Sequence, residues 1–185
     1  MFDTINSIKW TALRQAHGDA SHVPAAIRDL LSEDSERRRA AYWQIDNHVI
    51  LQGDLYESAF YCIPYLVEIL SAPEVPGKKQ AYDLLIEVAN GYAPPEIRCL
   101  YNEKQYSLVD ACQLAISDCF EIYLAEVRNT KSIYRNDALW LLVSLAHHRE
   151  EILQGLMNQQ AIEEDVEFRM EIEKTISEIK ENMQG

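Results

Sequence analysis

Cysteine is scarce in this 185-residue chain, and its placement excludes the common cysteine chemistries. Cys62, Cys99, Cys112 and Cys119 form no C-x-x-C pair, so neither a zinc spacing nor a dithiol redox motif is present. Four unpaired thiols suit a reducing compartment. Basic residues are also short, with 17 Lys and Arg against 30 Asp and Glu and a formal net charge of -13. Phosphate backbones and anionic lipid repel such a surface, so no nucleic acid and no membrane is expected as a partner, and a basic protein fits better. No apolar run approaches the roughly 18 residues of a membrane span. The first ten residues lack the basic-then-apolar order of a secretory leader. A cytoplasmic location follows by elimination. The motifs G-x-S-x-G, G-x-G-x-x-G, H-E-x-x-H and the P-loop are all missing, so no catalytic residue, no cofactor and no metal is expected.

Runs that alternate apolar and polar residues and are rich in Val, Ile and Thr are missing too, which argues against sheet. Apolar positions instead recur at three- and four-residue spacing, and a hydrophobic fraction of 48% is enough for a core. The expectation is an all-α protein forming one domain over residues 1–185. The six prolines and six glycines mark its boundaries. A short opening helix is expected over residues 7–15 and a turn at Gly18. A helix then starts at Val23-Pro24, and another covers residues 37–51.

Forty residues after Pro24 the pattern returns. Ile63-Pro64-Tyr65-Leu66 falls on Val23-Pro24-Ala25-Ala26 as a helix start, Ala81-Tyr82 on Ala41-Tyr42, and Leu85 on Ile45. A period near forty with two helices per unit is the signature of a HEAT- or armadillo-type, right-handed α-solenoid. A third helix pair is expected over residues 118–127 and 133–147. The extra length before it is an inserted loop at about residues 91–108, which carries Tyr92, Tyr101 and Tyr106. A capping helix over residues 162–183, with the stripe Ile172, Ile176, Ile179 and Met183, is expected to close the chain.

The run from Asn47 to Leu66 includes Gln52-Gly53, Tyr56, Glu57-Ser58-Ala59 and Ile63-Pro64-Tyr65-Leu66. It resembles a group of small bacterial HEAT-repeat proteins, in which a His-Gln-Gly-like turn precedes Tyr-x-Ala-Thr and a Val-Pro-Phe-Leu helix start. Trp10, the Gly18 turn and Val23-Pro24 fit the same resemblance, which covers roughly the first ninety residues. Leu51 stands where that group has histidine, and Ser58-Ala59 where it has Ala-Thr. The resemblance implies the fold and no catalytic residue. Some helical-repeat proteins of this size look like immunity proteins that neutralise bacterial toxins, including those of contact-dependent growth inhibition. It therefore implies a toxin inhibitor as one role, and the strong acidity points to a basic nuclease as one target; a generic scaffold or adaptor, or less readily a HEAT-like enzyme, are the alternatives.

Helical geometry then points to a surface. Ala41, Ile45 and Val49 form a core line, as do Ala81, Leu85 and Ala89, and Ala138, Leu142 and Ala146. Residues two before and two after the central one lie about 160° away from it. These are Trp43 and Asn47, Asp83 and Glu87, and Trp140 and Ser144. Together with Tyr92, Tyr101 and Tyr106, the residues Trp43, Asn47, Asp83, Glu87 and Trp140 are the candidate partner-binding residues. The competing reading packs both tryptophans against neighbouring helices. His48 aligns with Val88 and reads as a hydrogen-bonded core histidine. His147 and Glu151 have metal-ligand types at helical spacing but read better as a helix end followed by an acidic helix start. Cys99 is the least improbable nucleophile, though no histidine is near it in sequence. The acidic run Glu163, Glu164, Asp165, Glu167, Glu171 and Glu173 reads as a solvated helix face.

Overall fold

The structure is a computed structural model and describes residues 1–183. It is mostly helical, with two small antiparallel sheets among the described residues. The elements in order are α1 (Val23–Asp29), α2 (Ser35–Val49), β1 (Ile50–Leu51), β2 (Asp54–Leu55), α3 (Glu57–Ser71) and α4 (Lys78–Ala89). They continue with β3 (Arg98–Tyr101), β4 (Lys104–Ser107), α5 (Leu108–Ser117), α6 (Phe120–Arg128), α7 (Arg135–Val143), α8 (Arg149–Ile162) and α9 (Val166–Asn182). The chain divides into two compact units, Met1–Ile116 and the residues from Ser117 on.

In the first unit α1 pairs with α2 and α3 with α4, while α1 also packs on α3 and α2 on α4. The helix starts have local causes. Pro24 occupies the first turn of α1, where a missing N–H costs nothing. Asp34 caps α2 by accepting from the Glu36 N–H at 2.9 Å. The expected core line holds, with Ala41, Ile45, Val49, Ala81, Leu85 and Ala89 all buried.

Several expectations need correction. Instead of a helix over residues 7–15 there are two 3-10 turns, Ile5–Ser7 and Trp10–Ala12, with no side-chain cap on either. Tertiary anchoring fixes this segment: Trp10 donates from Nε1 to the Ile5 carbonyl at 2.7 Å, and Phe2 and Trp10 both pack on Tyr65. Helix α3 does not start at Ile63-Pro64. It begins at Glu57 and carries the exposed Pro64 inside it. The ring deletes one backbone hydrogen bond, and on a solvent-facing side the freed carbonyl can be hydrated.

The two hairpins are the other departure from a purely helical chain. In β1–β2, Ile50 pairs with Leu55 across Gln52 (φ 54°) and Gly53 (φ 88°). In β3–β4, Tyr101 pairs with Lys104 across Asn102 (φ 46°) and Glu103 (φ 64°). Positive φ at both central residues is the type I′ pattern that matches the twist of paired strands. The 91–108 insertion is therefore partly a hairpin. Strands of two and four residues are too short to leave a period in the sequence.

The second unit repeats the packing scheme. Helices α6 and α7 pair, α8 and α9 pair, α6 packs on α8, and α7 on α9. A fourth helix pair thus stands where one capping helix was expected, because residues 149–162 form α8. Asp165 caps α9, accepting from the Glu167 and Phe168 N–H groups at 3.0 and 3.1 Å. Ile172, Ile176 and Ile179 are buried as expected, whereas Met183 is exposed. Ala146 is exposed and Leu145 buried in its place, because α7 already ends at Val143.

Candidate functional site

On the first unit the packing of α2 against α4 gathers one cluster. From α2 come Tyr42, Trp43 and Asp46; from α4 come Lys79, Asp83 and Glu87. The Tyr42 hydroxyl donates to Glu87 Oε1 at 2.9 Å and approaches Asp46 Oδ1 at 3.5 Å. Lys79 pairs with Asp83 one turn along α4. The Trp43 ring meets the Tyr42 ring edge-on, with centroids 4.9 Å apart, and Trp43 itself is 47% exposed. The packed alternative for this tryptophan is removed.

The electrostatics are unusual for a surface. Burial, followed by a hydrogen bond with Asp46, pushes the Glu87 carboxyl up to about 7 against the opposing pull of the Tyr42 hydroxyl. Burial and the Glu87 acceptor raise the Tyr42 phenol strongly. An indole, a phenol and three carboxyl groups side by side can stack on a cation and pair with it.

The other candidate residues are distributed differently. Asn47 is exposed one turn beyond Trp43. Tyr92 is exposed, and its backbone is held by Gly53 and Leu55, with N–H to O distances of 2.7 and 2.6 Å. Tyr101 leans edge-on against Phe60 of α3 at 6.0 Å, so it is partly spent on packing, and Tyr106 is half-buried on β4. In the second unit Trp140 is 58% exposed on α7, which removes its packed alternative too. Asn136, one turn earlier, lines a shallow groove with Asp165, Glu167, Phe168 and Glu171 of the α9 start. Met170, 64% exposed, stands two residues before buried Ile172, as Trp140 stands two before buried Leu142.

Tyr42 entered the sequence reading only as a repeat position, and neither it nor Asp46 was singled out as a site residue. They flank the core line of α2, and a flank acquires meaning only when the neighbouring helix is known. Met170 was missed because α9 was not aligned with the other second helices.

Glu163 corrects another expectation. It is only 5% exposed, not part of a solvated face. Arg135 pairs with it, Gln159 Nε2 donates to it at 2.9 Å and the Asp165 N–H at 3.2 Å. Burial pushes this carboxyl up, but those donors outweigh it and hold the group below the usual range. The Arg135 guanidinium also lies 3.5 Å above the centre of the Phe168 ring.

The histidines differ from expectation as well. His48 is half-buried rather than in the core, meets the His22 ring edge-on at 4.8 Å and keeps a hydrogen bond with the Gln44 backbone, while its buried Nδ1 has no hydrogen-bond partner among the described residues. Burial and the neighbouring imidazoles lower its pKa. His148, rather than His147, meets Glu151, and its Nε2 lies 3.0 Å from Asp118. Among the described residues no group of three His, Cys, Asp or Glu is placed to hold a metal ion. Burial pushes the Cys99 thiol up to about 11 and raises Cys62, Cys112 and Cys119 as well, the opposite of an activated nucleophile.

No protein-family model matches this chain, and neither a curated protein nor a solved structure is significantly similar to it.

Proposed function

We propose that the chain is a HEAT-like helical-repeat module that works by binding another protein with a basic surface. The observation that carries this reading is the exposed Trp43, edge-on to Tyr42, whose hydroxyl reaches the Glu87 and Asp46 carboxyls on the α2–α4 pair. Large exposed aromatics next to charged groups are the usual anchors of protein interfaces. The stacking of α1 on α3 and α2 on α4, repeated by α6 on α8 and α7 on α9, supports the repeat reading. The net charge of -13 favours a cationic partner and speeds its approach. Trp140 offers a second exposed anchor on the other unit.

In its sharpest form the module is an immunity protein that covers the active or substrate-binding surface of a toxin, such as a basic nuclease. Its mechanism is occlusion and requires no chemistry of its own. The test is co-expression with the toxin encoded next to its gene, scored by growth rescue and by isolation of a stable complex. Rescue by the wild type and loss of rescue by Trp43→Ala with Asp83→Lys are the expected results. A complex with an unrelated neighbour and no rescue overturns the immunity form; absence of any complex overturns the binding reading.

A further inference from the structure

We propose that the turn over residues 15–22 is an acid-released clasp on the end of α2. Protonation of His48 detaches the turn, while the helix pairs of the first unit stay folded.

Two attachments hold the turn on α2. The Ala16 N–H donates to the His48 carbonyl at 2.8 Å, and His22 Nε2 lies 3.0 Å from the Gln44 carbonyl. Three imidazole rings meet there: His22 and His17 stand edge-on to His48, with centroids 4.8 and 6.3 Å away. The turn also has a shape of its own. Arg14 and Asp19 bridge across Gly18, whose φ of 72° closes the loop, and Asp19 Oδ1 accepts from the Ser21 N–H at 2.9 Å. Its base is tied to α3, where the Arg14 N–H donates to Glu57 at 3.2 Å and the Arg14 carbonyl accepts from the Ser58 N–H at 3.2 Å. Arg14 is therefore a pivot, and the part that swings runs from Gln15 to His22.

His48 makes release depend on acid. Its Nδ1 is buried and has no hydrogen-bond partner among the described residues. In the neutral ring that nitrogen can be an acceptor, but in the imidazolium both nitrogens must donate, and Nδ1 becomes a buried cationic donor facing no acceptor. The Gln44 carbonyl already serves both His22 and His48. The groups acting on His48 are His22 and then His17, with no carboxylate among them. The acids of the surrounding elements are occupied elsewhere or exposed: Asp19 acts on His22, Asp46 of α2 meets Tyr42, Glu57 of α3 holds the Arg14 N–H, and Asp54 of β2 faces solvent. The closed clasp also leaves Gln15 Oε1 and Ser58 Oγ buried without partners, so water reaching the turn offsets part of the cost of opening. Burial first, then the imidazoles, resists charge on His48 in the closed form. Closure is therefore complete above the ordinary histidine value of 6.5 and weakens as pH falls below it.

The test is amide hydrogen exchange of the full chain followed by NMR, expressed as protection factors at pH 7.5, 6 and 5. Ala16 is the reporter, and Ser58 and Leu85 are the references. Ala16 protection is expected to fall several-fold from pH 7.5 to pH 5, with about thirtyfold as the ceiling for a ring that titrates normally once free. Ser58 and Leu85 are expected to keep theirs. His48→Gln is expected to abolish the fall, and His17→Gln, which leaves every attachment in place, to make it smaller. Ala16 protection that is flat with pH, or a fall of equal size in His48→Gln, overturns the clasp. A parallel fall at Leu85 overturns it too, because the unit is then unfolding as a whole. Should His48→Gln not fold, an undiminished fall in His17→Gln overturns the role of the imidazole cluster.

Discussion

Glu87 and Glu163 have the same side chain in opposite surroundings. Glu163 is enclosed by donors, so its charge is held. Glu87 is half-enclosed by other acids, so its charge is resisted. Glu163→Ala leaves Arg135 buried without its carboxylate partner, and a loss of about 3–5 kcal/mol in unfolding free energy is expected, read as a lower denaturant midpoint at unchanged slope. Histidine supplies the pH prediction. Asp118 first, then Glu151, raises the His148 pKa above its ordinary 6.5. The stabilisation is therefore complete below that value and lost as pH rises through the folded-state value. Urea midpoints of the wild type and His148→Gln should differ most near pH 6 and converge above neutrality. A constant gap from pH 6 to 8.5 would remove His148 as the cause. His48, shifted downward, works in the opposite sense and costs stability as pH falls below 6.5.

The elements are set by short-range rules where those rules are strong. Asp34 and Asp165 cap α2 and α9, and apolar spacing at three and four residues gives the helices their buried faces. The hairpins illustrate the weaker case. Gln52-Gly53 could have been read as a I′ turn, since glycine suits φ of 88° there. Nothing lies within 4 Å of a Cβ added at Gly53, so the backbone angle alone requires glycine. Gly53→Ala should accordingly cost about 1–2 kcal/mol. Glu103 occupies the matching position of the second turn without that freedom, at φ 64°. Glu103→Gly is expected to stabilise the protein by about 0.5–1 kcal/mol, read as a higher thermal midpoint. An unchanged or lower midpoint would show that the turn gains more from chain stiffness than it loses in strain.

For the whole molecule, charge is the property that acts at a distance. With a net charge of -13, the association rate with a basic partner should fall steeply with added salt, while dissociation changes little. Charge reversal at Asp83 should alter both rates, because it lies within the cluster. Reversal at exposed Glu173 should lower only the association rate. Stopped-flow tryptophan fluorescence can separate the two. Trp43 and Trp140 are exposed and Trp10 is buried, so Trp43→Phe and Trp140→Phe identify which unit reports the encounter.

Whereas the match of Pro64 to Pro24 misplaced the start of α3, which begins at Glu57, the buried line through Ile45, Leu85 and Leu142 and the outward side of Trp43 and Trp140 were legible in the chain itself. Each depends on spacing along one helix, and helical geometry converts spacing into direction. The inward turn of Glu163, the edge contact of Tyr101 with Phe60, and the joining of Tyr42 and Asp46 to Glu87 were decided only by tertiary structure. Arg135 and Glu163 are 28 residues apart, and Tyr42 and Glu87 are 45. Contacts at that separation depend on which helix lies beside which, and no local period encodes that choice.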